Sequence, residues 1–220
     1  DCCALEDGPS LGDRLQVAHT VNNPLQHAEV PAEAAGQAAE KAVFESADEA
    51  RRSWFRDRSG LVFQALRIPD PDSGRRHEID VLCVSRDSFL LLEVKNWSGH
   101  LDVGPRGEWL QTRRSGDCVQ HSPAVRTLKR KARALRQHLG ASGGALPVDF
   151  PLHCRVIFTN SGLQLSDAIL ALPEVLPPAH WQSHVQHQPG PVWLPEGTGA
   201  LTAAVRLTSS LFGGAARLSR

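Results

Sequence analysis

Two apolar segments that each contain charged residues are the most informative pattern in this chain. The first covers residues 77–84 and the second covers residues 89–97, and both are rich in the branched aliphatic side chains typical of buried strands. The sequence between them, Ser-Arg-Asp-Ser at residues 85–88, consists of residues that favour turns. The pattern therefore predicts two neighbouring strands that pair through a short turn.

The other elements are predicted from hydrophobic periodicity and from residues that begin or end helices. A first helix begins at Pro31, which suits a first helical turn, and apolar residues recur along it at steps of three and four. A second helix begins at Ser122, which can cap it, and ends at Gly140. In chain order, the predicted elements are a helix over 31–55, strands over 61–68, 77–84 and 89–97, a hairpin over 101–103 and 108–114, a helix over 122–140 and a strand over 152–159. This order predicts an α/β fold.

The charged residues inside the two apolar strands are candidates for a catalytic site. Asp80 lies between two branched apolar residues, and Glu93 and Lys95 are two positions apart, so the latter two project from one face of their strand. Charges are rarely buried without a partner or a metal. One interpretation is a glutamate–lysine pair on the sheet surface with an aspartate at its edge. The interpretation that we favour is a metal-dependent hydrolytic site.

The chemistry of a hard divalent cation suits these side chains. Mg²⁺ takes oxygen ligands, and Asp80 and Glu93 can supply one carboxylate each from paired strands, with the carbonyl of Val94 as a third ligand. Such a cation polarises a phosphoryl oxygen and lowers the pKa of a bound water, which Lys95 can orient. We expect Glu93→Gln to remove most of the metal affinity and to leave the fold intact. Because two close carboxylates repel each other, this change can even stabilise the metal-free protein.

The two strand segments resemble a known protein family. The run Glu-Ile-Asp at residues 78–80, followed about a dozen residues later by Glu-Val-Lys-Asn-Trp-Ser-Gly at residues 93–99, resembles the nuclease-related domain, NERD. That domain is a branch of the restriction-endonuclease-like superfamily, whose site has the PD-(D/E)XK pattern. The resemblance covers roughly residues 33–160.

The resemblance implies both a fold and a function. The implied fold is a restriction-endonuclease-like αβββαβ core with a central mixed sheet flanked by helices. The implied function is hydrolysis of DNA by a Mg²⁺- or Mn²⁺-dependent endonuclease, with Asp80, Glu93 and Lys95 as the catalytic residues. In the family a glutamate on the first helix points toward the metal, and Glu40 resembles that residue. The alternative is that Glu40 is a solvated helix residue.

The second predicted helix carries the densest group of basic residues in the chain, which comprises Arg126, Lys129, Arg130, Lys131, Arg133 and Arg136. Arg126, Arg130 and Arg133 are four and three residues apart and form one stripe, which we predict to contact nucleic acid beside the metal site. Lys129 and Lys131 are predicted to lie on flanking faces and to matter less. The alternative is that the stripe is a solvated helix face.

Two positions at the start of this helix depart from the family pattern. Family members usually have asparagine before the proline and glutamine shortly after it, whereas this chain has Ser122 and Arg126. These departures leave a second function open, a nuclease-like module that binds nucleic acid or protein without cutting. The presence of Asp80, Glu93 and Lys95 together favours an active enzyme.

Composition limits the organisation and the partners of the chain. A net charge of zero over 220 residues argues against a surface dedicated to non-specific nucleic-acid binding, but it leaves room for a local basic groove. No apolar run is long enough to cross a membrane. We predict a flexible leader over residues 1–30, a nuclease-like domain over 31–165 and a C-terminal extension over 166–220 that packs on the core. DNA is the expected partner and an intracellular location is favoured, although the start at Asp1 leaves open an upstream leader or membrane anchor.

Overall fold

The structure is a computed structural model, and it describes residues 32–54, 61–70, 74–85, 88–141 and 146–187. The predicted leader, residues 1–30, and the last part of the predicted extension, residues 188–220, lie outside the described residues. The helices are α1 (Ala32–Trp54), α2 (Ala124–Ala141), α3 (Asp167–Leu170) and α4 (Trp181–His187). The strands are β1 (Leu61–Pro69), β2 (Arg76–Val84), β3 (Phe89–Lys95), β4 (Gly99–Val103), β5 (Trp109–Thr112), β6 (Cys118–His121), β7 (Leu152–Phe158), β8 (Leu163–Leu165) and β9 (Val175–Leu176).

A five-stranded mixed sheet forms the centre of the fold, in the order β1-β2-β3-β7-β9. The first three strands pair antiparallel, whereas β3, β7 and β9 pair parallel. α1 and α4 pack on one face of the sheet through an apolar cluster that includes Val43, Leu92 and Trp181. α2 packs on the other face through a cluster that includes Leu91 and Leu128. The predicted α/β class, a central mixed sheet flanked by helices, is confirmed.

The two apolar segments that contain charges form β2 and β3 and pair antiparallel. Their register runs from Val84 opposite Phe89 to Val81 opposite Leu92. In the turn, the hydroxyl of Ser85 donates to the carbonyl of Ser88 at 2.9 Å and accepts from its N–H at 3.1 Å. The turn chemistry predicted from the serines therefore closes this pair of strands.

Helical periodicity decides which side of each long helix is buried. The buried apolar residues of α1 are Ala39, Val43, Ala47 and Ala50. The corresponding buried apolar residues of α2 are Leu128, Ala132, Leu135 and Leu139. Both sets recur at steps of three and four, as an amphipathic helix on a sheet requires. None of the helices within the described ranges is long and apolar enough to span a membrane.

A second sheet of four strands, in the order β6-β5-β4-β8, lies beside the end of β3. The sequence predicts its β4–β5 hairpin, which the Gly-Pro-Arg-Gly turn at residues 104–107 marks. It does not predict β6 or β8, because elements of four and three residues are too short to show a period on their own. Trp109 of β5 is buried, and its ring contacts Trp97 and Phe158 at centroid distances of 6.5 and 6.1 Å. These rings join the second sheet to the end of the central sheet.

The described part of the predicted C-terminal extension contributes to the central core. β9 pairs with β7 at Val156 opposite Val175 and at Ile157 opposite Leu176. Val185 of α4 is buried in the cluster that contains α1. Residues 166–187 therefore complete one edge of the sheet and one of its helical faces.

Gly99, at the start of β4, occupies a position that a larger residue would not fit. Its φ is +90°, and a Cβ atom placed on it would lie 2.1 Å from the carbonyl oxygen of Thr112. We expect Gly99→Ala to lower the free energy of unfolding by about 1–3 kcal/mol, measured by urea denaturation. Gly107→Ala is the matched control, because Gly107 has a φ of +78° but no atom within 4 Å of its Cβ position. Equal losses in the two variants would show that the close approach to Thr112 has no energetic consequence.

Candidate active site

The pairing of β2 with β3 stops where the charged residues begin. The last paired residues are Val81 and Leu92, so Asp80 and Glu93 would be the next pair in a regular ladder. Instead, the backbone N–H of Val94 donates to Oδ2 of Asp80 at 2.8 Å. Both carboxylates are buried, with exposed fractions of 8% for Asp80 and 5% for Glu93. A carboxylate thus replaces a backbone acceptor at this break.

The strand on the other side of β2 is irregular at the same level. β1 and β2 pair at Gln64 opposite Val81 and at Leu66 opposite Ile79, but not at the intervening Ala65. Ala65 has a φ of +51°, a left-handed conformation that costs a non-glycine residue about 1–3 kcal/mol. Strain of this kind is concentrated at functional sites. Its position next to the buried aspartate marks this end of the sheet as the candidate site.

The irregularity reverses the faces of β2. Val81 packs in the cluster with α1, whereas Ile79, two residues earlier, packs in the cluster with α2. In a regular strand these two residues would share a face. The reversal explains why Asp80 lies inside an apolar run, because its neighbours are buried in different cores while its carboxylate bonds to the adjacent strand.

Two lysines contact the carboxylate of Glu93. Lys95 donates from Nζ to Oε1 of Glu93 at 2.7 Å, and a quarter of its side chain is exposed. Lys131, which is buried in α2, donates to Oε2 of Glu93, and its Nζ lies 3.7 Å from Oδ1 of Asp80. The structure therefore brings together the three residues that the sequence suggests for catalysis, and it adds Lys131 to them.

The two carboxylates have pKa values shifted in opposite directions. Burial disfavours ionisation of Glu93, but the charges of Lys95 and Lys131 and their hydrogen bonds outweigh it and hold the pKa of Glu93 below its usual value. Burial and then the charge of Glu93 raise the pKa of Asp80, although the ammonium of Lys131 opposes this rise. Pairs of titratable groups whose environments separate their pKa values are typical of catalytic sites.

The prediction that Lys131 lies on a flanking face of α2 is wrong. Position 131 follows Leu128 by three residues and precedes Leu135 by four, so it belongs to the buried stripe of the helix. The spacing is visible in the sequence, but a lysine is seldom fully buried unless it is paired. The carboxylates on the facing strands supply that pairing, which only the assembled fold reveals.

The arginines of the predicted nucleic-acid stripe, Arg126, Arg130 and Arg133, are exposed on α2. As far as the structure describes the chain, none of the three forms an ion pair with a carboxylate, whereas Lys129 on the same helix pairs with Glu174. Their charges are therefore available to a ligand, and contact with nucleic acid stays a prediction.

Glu40 approaches the site from α1. It is half-buried, and with Gln64, Ala65 and Glu78 it lines part of a groove of about 510 Å³. Burial and then the negative charge of Asp80 raise the pKa of Glu40. In the part of the chain that the structure describes, no hydrogen bond joins the Glu40 carboxylate to the other site residues. The structure thus places Glu40 near the site without direct contact.

Asn96 holds the end of β3 in position. Its Nδ2 donates to the carbonyl of Ala35 in α1 at 3.3 Å, and its Oδ1 accepts from the hydroxyl of Thr159, directly after β7, at 3.1 Å. These bonds join three elements next to Lys95, and they position the strand end that carries the lysine.

The donor set fits a Mg²⁺ or Mn²⁺ ion held by two carboxylates. Mg²⁺ typically takes one or two carboxylates from a protein and completes its shell with water and substrate phosphate, and Asp80 and Glu93 provide that number. Among the described residues, no group of three or more His, Cys, Asp or Glu side chains is arranged to hold a metal. Glu40 is therefore not gathered into a three-carboxylate site, and its predicted role as a ligand stays a prediction.

The comparisons with known proteins gave a family match. A model described as nuclease-related domain, NERD, matches residues 35–159, which is more than half of the chain. The matched range begins in α1 and includes Asp80, Glu93, Lys95 and Lys131. Searches of curated proteins and of solved structures gave no match.

Proposed function

Because the chain belongs to the nuclease-related domain family, we propose that it hydrolyses DNA phosphodiester bonds with the help of Mg²⁺ or Mn²⁺. The family resemblance inferred from the sequence is confirmed, and a nuclease-related function follows from it. The observation that carries the finer proposal is the arrangement of Asp80, Glu93 and Lys95 at the break between β2 and β3. Two buried carboxylates with a lysine beside them suit a divalent cation that acts on a phosphodiester.

Each residue of the site has a separate task in this proposal. Asp80 and Glu93 hold the cation, with Glu40 as an additional ligand through water. When bound, the cation polarises a phosphoryl oxygen and lowers the pKa of its bound water. The N–H of Val94 fixes the orientation of the Asp80 carboxylate. Lys95 orients the attacking water or offsets charge on the phosphate, and its partial exposure leaves the ammonium accessible to substrate.

A cleavage assay tests the proposal directly. The substrates are single-stranded, duplex and branched DNA, each with Mg²⁺, with Mn²⁺ and with a chelator, and a matched RNA serves as a further substrate. We expect cleavage of at least one DNA form that requires the added cation. Intact DNA in every condition, or cleavage confined to RNA, would contradict the proposal.

A second candidate function is a nuclease-like module that binds nucleic acid or protein without cutting. The observation that favours it is that both oxygens of Glu93 are already engaged by lysines. The departures from the family pattern at Ser122 and Arg126 point the same way. Nucleic-acid binding without cleavage in the assay above would support this function over hydrolysis.

The exposed stripe of α2 gives a prediction for DNA binding. We expect simultaneous replacement of Arg126, Arg130 and Arg133 by alanine to weaken DNA binding and to flatten its salt dependence. The slope of log affinity against log salt should fall by about 0.7–0.9 for each phosphate contact that is lost. Binding is measured across a salt series in the presence of a chelator, so that the DNA stays intact.

Two comparison variants sharpen this test. Lys129→Ala removes a charge from the same helix that is already paired with Glu174, so it should leave the slope nearly unchanged. The second variant replaces Arg113 and Arg114, which line a groove of about 470 Å³ on the second sheet. If this double variant lowers the slope and the α2 variant does not, DNA lies along the second sheet instead of α2.

A further inference from the structure

The ammonium of Lys131 occupies a position between the two site carboxylates that the proposed function does not use. Only a tenth of its side chain is exposed. Its Nζ bonds to Glu93 and lies 3.7 Å from Oδ1 of Asp80, so one ammonium group compensates the charge of two carboxylates. A buried charge requires such compensation, and two adjacent carboxylates require it equally.

The oxygen atoms of the two carboxylates divide into two sets. Oδ2 of Asp80 accepts the N–H of Val94, and Oε1 of Glu93 accepts the ammonium of Lys95. The remaining oxygens, Oδ1 of Asp80 and Oε2 of Glu93, are the two that Lys131 contacts. A divalent cation that binds both carboxylates through these remaining oxygens therefore competes with the ammonium of Lys131 for the same two atoms.

We infer that Lys131 is a tethered cation that takes the place of the metal in the metal-free protein and has to leave the Asp80–Glu93 pair when a divalent cation binds. The inference rests on the proposed function, because it concerns the cation of that reaction. Lys131 then stabilises the metal-free fold and lowers the metal affinity of the site. Lys95 differs from Lys131, because Lys95 bonds to Oε1 of Glu93, which is not one of the two atoms that Lys131 contacts, and its side chain is partly exposed.

The test compares Mn²⁺ binding by the full chain and its Lys131→Met variant, with manganese chloride titrated in a calorimeter. We expect the variant to bind Mn²⁺ about 10–100-fold more tightly, the range over which groups that contact metal ligands change affinity. Thermal unfolding followed by circular dichroism is the second readout, and added Mn²⁺ should raise the melting temperature of the variant more than that of the parent. Lys129→Met is the matched control on the same helix and should bind Mn²⁺ like the parent, since Lys129 pairs with Glu174.

Lys131→Gln keeps a hydrogen-bond donor for Glu93 without the charge. The Mn²⁺ titration can therefore still be made if the methionine variant misfolds. If both variants unfold without metal, recovery of the folded spectrum on adding Mn²⁺ supports the inference, and failure to recover overturns it. If the parent binds Mn²⁺ and the folded variants bind it equally or more weakly, the inference about Lys131 is overturned and the proposed metal-dependent function is not. If neither the parent nor any variant binds Mn²⁺, the metal-dependent function fails together with it.

Discussion

Replacing Glu93 by glutamine is expected to destabilise the metal-free protein by about 3 kcal/mol. The change removes the charge that two lysines share and leaves the buried ammonium of Lys131 with Asp80 alone, at 3.7 Å. Removing one partner of a buried ion pair typically costs about 3–5 kcal/mol, and the remaining contact with Asp80 places the expected loss at the lower end. From sequence, repulsion between two close carboxylates left open that this change stabilises the metal-free protein. The structure favours the opposite outcome, because the charges and hydrogen bonds of Lys95 and Lys131 hold the pKa of Glu93 below its usual value despite its burial.

Urea denaturation measures this loss, and Glu78→Gln on β2 is the matched control. The ion pair of Glu78 with Arg67 is well exposed, so the control should lose no more than about 1 kcal/mol. Calorimetric titration of Glu93→Gln with Mn²⁺ should also show that most of the metal affinity is gone, because a neutral amide holds a hard cation poorly. Undiminished stability would mean that Lys131 finds its compensation elsewhere, and undiminished Mn²⁺ affinity would place the metal at another site.

The loss of stability in Glu93→Gln is expected to depend on pH. The pKa of Glu93 is lowered in the folded protein, so its contribution is present in full above the ordinary glutamate pKa of about 4.3. As pH falls below that value, the contribution is lost progressively through the lowered folded pKa. The difference between parent and variant should therefore be greatest near neutral pH and shrink in acid. A difference that grew on acidification would contradict the assigned direction of the shift.

Replacing Lys95 by methionine is expected to reduce metal-dependent DNA cleavage by about 10²–10⁴-fold, the usual contribution of a group that positions or transfers a proton. Lys95 is the site cation that is both bonded to Glu93 and accessible to substrate, with a quarter of its side chain exposed. Because Lys131 still neutralises Glu93 in the variant, the fold should remain intact. Single-turnover cleavage at saturating Mg²⁺ is the measurement.

The control for this variant is Lys41→Met, which removes an exposed lysine of α1 that lines the groove beside Glu40 and should cleave DNA like the parent. Mn²⁺ titration of Lys95→Met separates an effect on chemistry from an effect on metal binding. Reduced cleavage with unchanged Mn²⁺ affinity supports a direct role in the reaction. Cleavage within a few-fold of the parent would remove Lys95 from the proposed mechanism.

Most of the regular structure is predictable from the sequence, because it depends on local periodicity. The stripe of apolar residues in α1 and the leucines of α2 are buried as predicted. The serine-rich turn pairs β2 with β3 as predicted. The short strands β6, β8 and β9 are not predictable in this way, because two to four residues cannot show a period. In addition, β8 and β9 pair with β4 and β7, which are not their neighbours in the chain.

The site is predictable only in part. Strand alternation indicates that Glu93 and Lys95 share a face, and their hydrogen bond agrees with it. Alternation does not indicate the reversal of faces at Asp80, because the neighbouring strand bends at Ala65, an alanine that adopts a conformation usually associated with glycine. No local signal in the sequence marks that bend.

By itself, the sequence determined which strands carry the charges, which helix carries the basic residues and to which family the chain belongs, because these are properties of residue type and spacing. Only the tertiary structure decided which basic side chain of α2 contacts the two carboxylates. Leu128 and Leu135 pack against the sheet and set the rotation of α2, and this rotation turns Lys131 toward Glu93 and leaves the arginine stripe exposed. The partners are 38 residues apart in the chain, and a pairing over that distance depends on packing rather than on any local pattern.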